Sequence, residues 1–216
     1  MTEKLEKALD RLKRILPLKE RQDACSEQIK ELHQRMLRSF VDKGRILSRE
    51  EMKEHISDLE DAVSVLREKD MVVFSKDGEP LGAYPFTTAA REHAVRVNGY
   101  LVYAMCALDA LAISPMFGVE TRITSQCRVT GDRLNIQQSG NAILNPDKAD
   151  DIHFGIYWGA ANSDCCIADS LCLEMMFLRD GEIARQWLAD DPDNREVFTL
   201  PEAIEFGGRF FAPLLS

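Results

Sequence analysis

No run of this 216-residue chain approaches the ~20 consecutive apolar residues that a membrane span needs. Its opening residues, Met1 to Leu12, are charged and amphipathic and lack the apolar segment of a secretory signal. These two absences set the expectation of a soluble, cytoplasmic protein with no membrane partner. Positive charge is also short: 27 Lys and Arg stand against 36 Asp and Glu, for a formal net charge of −9. Phosphate recognition rests on clustered Lys and Arg, so neither nucleic acid nor an anionic lipid surface is expected as a partner. The four histidines, His33, His55, His93 and His153, are scattered, and no H-x-x-x-H or Cys-x-x-Cys spacing builds a zinc site. Gly-rich phosphate loops, internal repeats, low-complexity tracts and long linkers are all missing. Six cysteines (25, 106, 127, 165, 166 and 172) are too sparse for a disulfide scaffold. In a reducing compartment such thiols serve metal handling, catalysis or core packing.

What is present suffices for a packed core, with 45% hydrophobic and 29% charged residues. Leu5, Leu9, Leu12 and Leu16 recur at helical spacing, and Pro17 marks where that helix stops. A second helix is predicted over Glu27 to Lys43, with Ser26 as N-cap and Gly44 just past its end. Its apolar stripe is Ile29, Leu32, Met36 and Phe40. Two capping boxes follow, Ser48-x-x-Glu51 and Ser57-x-x-Glu60, the second opening a helix with Leu59, Val63 and Leu66 inward. Met71–Phe74 reads as a strand, Asp77-Gly78 as a turn and Leu81–Phe86 as a returning strand. Helices followed by a hairpin give residues 1–86 the order of a winged-helix-like module. Its would-be recognition helix sets Asp58, Glu60, Asp61 and Glu68 against only Arg67 and Lys69, and this acidic balance would repel phosphates; a structural or interaction module is expected instead of DNA reading.

A second region spans 87–216. Glu92–Val97 is predicted as a strand ending at Asn98-Gly99, and Ala104–Ile113 as a short apolar helix broken before Pro115. Thr121–Cys127 and Leu134–Gln137 form a predicted hairpin around Thr130-Gly131-Asp132. Ile152–Trp158 and Leu173–Leu178 are further strand candidates. One helix follows Asp180, burying Ile183 and Trp187, and another follows Thr199 with Pro201 and Glu202 in its first turn. Strands cluster without βαβ alternation, so the expected class is α+β. Asp147, Asp150 and Asp151 read as a solvated turn.

The residues with chemical potential begin with Cys106 and Asp109, three apart in an otherwise apolar helix and so on one face. A carboxylate in such surroundings has its pKa raised by desolvation and holds a proton near neutral pH. Taken alone, Cys-x-x-Asp is as well explained by a half-buried thiol beside a first-turn aspartate facing the helix dipole.

The surrounding sequence adds more. Tyr103-Ala104-Met105-Cys106-Ala107-Leu108-Asp109-Ala110-Leu111, with Pro115 and Gly118 beyond it, resembles the catalytic helix of the organomercurial lyase (alkylmercury lyase, MerB) family. Ser125-Gln126-Cys127-Arg128-Val129-Thr130-Gly131 is similar to that family's Ser-x-Cys-x-x-Thr-Gly hairpin turn. Ser170-Leu171-Cys172, the apolar strand to Phe177 and the helix from Ala184 to Trp187 resemble its second-cysteine strand and following helix. The similarity covers about residues 95 to 190.

The resemblance implies a MerB-like domain of antiparallel sheet flanked by helices over 87–216. It further implies Cys106 and Cys172 as metal-binding thiolates, Asp109 as the proton donor that also meets the metal, and Cys127 as the structural cysteine. Cys165-Cys166 compete with Cys172, because the family often shows adjacent cysteines at its second site. The fifteen residues from Cys172 to Trp187 align the intervening strand and favour Cys172, whereas Cys165 would need a seven-residue insertion. Cys165 and Cys166 are then accessory thiols that receive or relay metal, or thiols without a role. Two positions depart from the pattern. Met105 stands where the family carries an aromatic residue, and Leu173 replaces a frequent second cysteine.

Two readings follow. The first is a lyase that cleaves a carbon–metal bond in a small organometallic substrate by protonolysis, with no resident cofactor. External thiols, or a partner protein with its own cysteine pair, would accept the metal. The second is a non-enzymatic thiolate metal-binding or metal-sensing protein on the same fold.

Overall fold

The computed structural model describes residues 2–161 and 167–216. Helix α1 (Glu3–Ile15) starts at Thr2, whose side chain accepts from the Leu5 amide, and buries Leu5, Ala8, Leu9 and Leu12. A short α2 (Leu18–Asp23) follows Pro17. Helix α3 (Glu27–Lys43) has the expected limits: Ser26 caps the Ile29 amide, and Gly44 ends the helix at φ +70°. The Ser48–Glu51 capping box opens α4 (Arg49–Lys53). Helix α5 (Leu59–Glu68) departs from expectation by one residue, because Asp58 and not Ser57 is the cap, accepting from the Asp61 amide at 3.0 Å. A carboxylate is the stronger acceptor and also favours the positive end of the helix.

Strands β1 (Val72–Phe74) and β2 (Pro80–Ala83) pair around the Asp77-Gly78 turn. The returning strand expected over 81–86 is interrupted at Tyr84-Pro85, since proline has no amide to extend the ladder, and resumes as β3 (Phe86–Thr87). Next come β4 (His93–Val97) and β5 (Tyr100–Ala104), joined at Asn98-Gly99, and then α6 (Ala107–Phe117). Strands β6 (Glu120–Gln126), β7 (Arg133–Ser139) and β8 (Ala142–Ile143) precede the short α7 (Pro146–Ala149). The chain continues through β9 (His153–Tyr157), β10 (Met175–Leu178), α8 (Gly181–Asp190), β11 (Arg195–Thr199) and α9 (Leu200–Phe211).

The strands form an antiparallel eight-stranded sheet in the order β1-β2-β3-β5-β4-β6-β7-β8 and a three-stranded sheet β10-β9-β11. Mixed helices and antiparallel sheet match the α+β expectation. The run β2-β3-β5 carries one sheet across residue 87 without a break.

Helix α6 touches strands of both sheets as well as α9, and its buried face includes Leu108, Ala110, Leu111, Ala112 and Ile113. Instead of stopping before Pro115, as expected from sequence, it runs through that residue to Gly118. Proline removes an amide and leaves the carbonyl four residues earlier without its helical partner. Here that carbonyl belongs to Leu111, and the buried Gln138 side chain donates to it at 2.9 Å while also donating to Gly140 O at 2.9 Å. Replacing Gln138 by leucine strands both carbonyls. The expected result is a loss of about 2 kcal/mol in stability, read from urea unfolding with an unchanged slope.

Helix α9 lies against α6 through Gly207, where a Cβ would stand 3.0 Å from Leu108 O and 3.1 Å from Ala112 Cβ. Among the described residues, no helix is long and apolar enough to cross a membrane.

Candidate metal and proton-transfer site

Strand β5 ends at Ala104, and two residues later the chain turns into α6 with Cys106 in extended geometry (φ −149°, ψ 178°) as its N-cap. The Cys106 sulfur accepts from the Asp109 amide at 3.4 Å, taking the place of the oxygen that usually caps a helix. Cys106 is therefore the cap and Asp109 the third residue of the first turn, so the thiol precedes the helix and does not sit within it as the sequence suggested, while the carboxyl does. Their proximity follows either way, because cap and third residue face each other.

The second thiol arrives from the opposite direction. A single 3-10 turn over Leu171–Glu174 precedes β10, burying Leu171 and Cys172 while Leu173 stays exposed. The ligand atoms of Cys106, Asp109 and Cys172 all lie within 4.8 Å of one another, and all three residues are buried. A third sulfur, Met175 Sδ, stands 3.5 Å from Cys106 Sγ. Sequence reasoning did not single out Met175, since a methionine at the start of an apolar strand looks like ordinary core. Three sulfurs and one carboxylate make a donor set suited to a soft metal.

Burial governs the electrostatics. Asp109 is only 1% exposed, and desolvation lifts its carboxyl to about 7, although hydrogen bonds from Cys106 and the positive charge of Arg91 pull the other way. Desolvation therefore outweighs the helix dipole, which would favour the anion at this position. Among the described residues its Oδ2 has no hydrogen-bond partner. The Cys106 thiol is pushed well above the usual range, first by burial and then by its hydrogen bond with Cys172 and the Asp109 charge. For Cys172 the hydrogen bond from Cys106 lowers the pKa, but burial and the charges of Asp109 and Asp70 leave it raised, with Arg91 opposing. At neutral pH the site thus holds two neutral thiols beside a carboxyl poised near its midpoint. Either an acid or a base is available there without large cost.

Cys127 is buried just after β6, where it bridges to Phe177 of β10 and so joins the two sheets. Cys25 lies in the N-terminal region, with its thiol donating to Arg21 O. Cys165 and Cys166 lie outside the described residues. His33 and His93 are buried in polar contacts with Gln22 and Ser125 respectively, and neither belongs to the metal-like grouping found among the described residues.

Comparison with known proteins gives a consistent picture. The family model for alkylmercury lyase matches residues 86–212. A Bacillus cereus protein named alkylmercury lyase is 26% identical over 151 residues, covering 69% of this chain and 66% of its own length, a little under two thirds. A Pseudomonas putida protein of the same name is 26% identical over 167 residues, covering 77% of this chain and 76% of its own. Among solved structures, the mercury-bound form of MerB2 superposes with a TM-score of 0.73 at 18% identity, covering 92% of this chain and 98% of that one.

Proposed function

The chain belongs to the alkylmercury lyase family, and from that premise we propose that it cleaves a carbon–mercury or related carbon–metal bond by protonolysis. The observation that carries the reading is the convergence of two thiols and a near-neutral carboxyl within 4.8 Å in a buried site. A thiolate trap alone has no need of a proton donor held at the midpoint of its titration.

In the proposed reaction the organometal arrives as a thiol adduct and exchanges onto one of the two cysteines, releasing that thiol. The other cysteine passes its proton to the Asp109 carboxylate and joins the metal as a second soft ligand. Donation from two sulfurs loads charge onto the attached carbon. Asp109 then gives its proton to that carbon as the carbon–metal bond opens. One thiol proton is thereby spent on the hydrocarbon, and the metal remains as a neutral dithiolate. The Oδ2 of Asp109, without a hydrogen-bond partner among the described residues, is the oxygen that would face the substrate carbon. Cellular thiols, or a protein with its own cysteine pair, complete the cycle by taking the metal, and a cytoplasmic setting supplies them.

The winged-helix-like character of 1–86 and the boundary at 86/87 belong to the same proposal. Helices α3 to α5 and the β1–β2 hairpin supply the module's elements, and the run β2-β3-β5 joins it to the catalytic sheet.

The test is incubation with methylmercury or phenylmercury and excess free thiol, with headspace detection of methane or benzene. Hydrocarbon release that persists in Cys165→Ser and Cys166→Ser supports the assignment. Stoichiometric metal binding with no hydrocarbon released points instead to a metal-binding or sensing protein.

A further inference from the structure

Cys172 stands on the second of two short 3-10 turns, Ile167–Asp169 and Leu171–Glu174, with no long helix or strand to fix it, yet a metal shared with Cys106 requires its sulfur to be placed to within a fraction of an ångström. The backbone just ahead of it is held by three side chains distant in sequence. The Ala168 amide donates to the Tyr84 hydroxyl at 2.9 Å, and the Ile167 amide donates to Asp70 Oδ2 at 3.3 Å. The Arg91 guanidinium donates to Ala168 O at 3.0 Å and pairs with Asp169 at 3.3 Å.

The cradle is itself braced. Tyr84 is 1% exposed, and its hydroxyl donates to the Asp70 carboxylate at 3.3 Å. Arg21 of α2 stands 3.8 Å from that carboxylate. Asp70 occupies the left-handed region at φ +47°, a conformation that aspartate tolerates better than most side chains.

From the cradle to the thiol the chain is short and internally bonded. The Ser170 amide donates to Ile167 O at 3.2 Å and the Leu173 amide to Ser170 O at 3.0 Å. Beyond Cys172, Arg128 donates to Leu173 O at 3.0 Å, and β10 is locked onto β9. Cys172 is therefore fixed from both sides, and the upstream anchor is the Asp70–Tyr84–Arg91 group.

We propose that Asp70, Tyr84 and Arg91 are positioning residues that set the second thiol opposite Cys106, so that the N-terminal region has a part in the chemistry. Asp70 and Tyr84 precede the segment matched by the family model, which begins at 86. The inference rests on the lyase reading only for its consequence in turnover; the placement of the thiol stands separately. An error of about 1 Å in placing a reacting group costs on the order of a hundredfold in rate, and one lost buried hydrogen bond accounts for about tenfold.

The experiment uses phenylarsine oxide, which is retained only when two thiols add to one arsenic and its oxygen leaves as water. The assay protein is the full chain carrying Cys165→Ser and Cys166→Ser, which removes the neighbouring thiol pair. Tyr84→Phe and Asp70→Asn are each expected to slow two-thiol capture by about tenfold or more. They are also expected to lower kcat on phenylmercury by a similar factor with little change in KM, because Cys106 still takes the organometal. Arg209→Gln, which breaks the ion pair with Glu6 at the far ends of the chain, is the stability control and should leave arsenical capture unchanged.

Capture at the parent rate in Tyr84→Phe and Asp70→Asn overturns the proposal, as does an equal slowing in Arg209→Gln. Should Tyr84→Phe fail to fold, Asp70→Asn alone decides between these results. Slowed capture in the variants with no benzene from any form, including the parent, supports the positioning role and removes the lyase reading.

Discussion

Asp109→Asn is expected to stop hydrocarbon release while making the folded chain more stable at and above pH 7. The amide matches the carboxyl in shape but has no proton to give to carbon, and removing a general acid costs about 10²- to 10⁴-fold in rate. Mercuric ion should still be held by Cys106 and Cys172, so the defect appears in headspace benzene and not in metal stoichiometry. The stability gain follows from linkage. The Asp109 carboxyl is lifted from 3.8 to about 7 in the folded state. Its stabilising contribution is therefore complete below the unfolded value near 3.8 and is lost as pH rises through about 7. Asparagine carries no such penalty. Its advantage, on the order of a few kcal/mol, should be full above pH 7 and should shrink steadily as pH falls towards 4. Thermal midpoints of the two proteins across that range provide the measurement. A wild-type chain as stable as the asparagine form at pH 8 would show that the Asp109 carboxyl is not destabilised by its burial.

Cys106→Ser should give the second large effect, and its position as helix cap makes the result easy to interpret. Serine is a preferred N-cap, and its hydroxyl accepts from the third amide better than a thiol does. The fold is therefore expected to hold or tighten slightly. Hydrocarbon release should fall by three orders of magnitude or more, an order-of-magnitude figure that reflects the loss of one of two soft ligands together with its proton. Circular dichroism and urea midpoint at wild-type values, with benzene release at background, are the expected pair of observations. Residual turnover within about tenfold of wild type would mean that the metal is activated by other groups.

The parts of the fold that were legible in the sequence are those whose ends carry their own chemistry. Helix α3 is bounded by Ser26 and Gly44, and both act as expected. The Ser57 to Asp58 shift arose because two competent caps are adjacent and the Ser-x-x-Glu pattern pointed to the first, whereas the carboxylate of the second is the stronger acceptor. Pro115 misled for a different reason: the group that rescues the helix is Gln138, on a strand 27 residues away from Leu111. Strand β11 was missed because Arg195, Glu196 and Val197 are half-buried and show no apolar alternation, while its pairing with β9 is what defines it.

The site was readable in a similarly uneven way. The nearness of Cys106 and Asp109 follows from their spacing in any helical start. The arrival of Cys172 from 66 positions away does not follow from any local pattern, and only the family resemblance located it in advance. Met175 and the Asp70–Tyr84–Arg91 group were invisible because their meaning lies in contacts that span 69 to 97 positions.

Gly207 gives the close approach of α9 to α6 a practical side. Exchanging a helical glycine for alanine is a common way to harden a protein against heat, gaining about 0.5–1 kcal/mol. At this position the added methyl group would press on Leu108 O, and the residue after Leu108 is Asp109, the proposed proton donor. A few tenths of an ångström of recoil would pass directly into the helix start that holds Cys106 and Asp109. Durability and the alignment of the proposed site therefore draw on the same narrow gap, and α9 is a poor place to engineer one without disturbing the other.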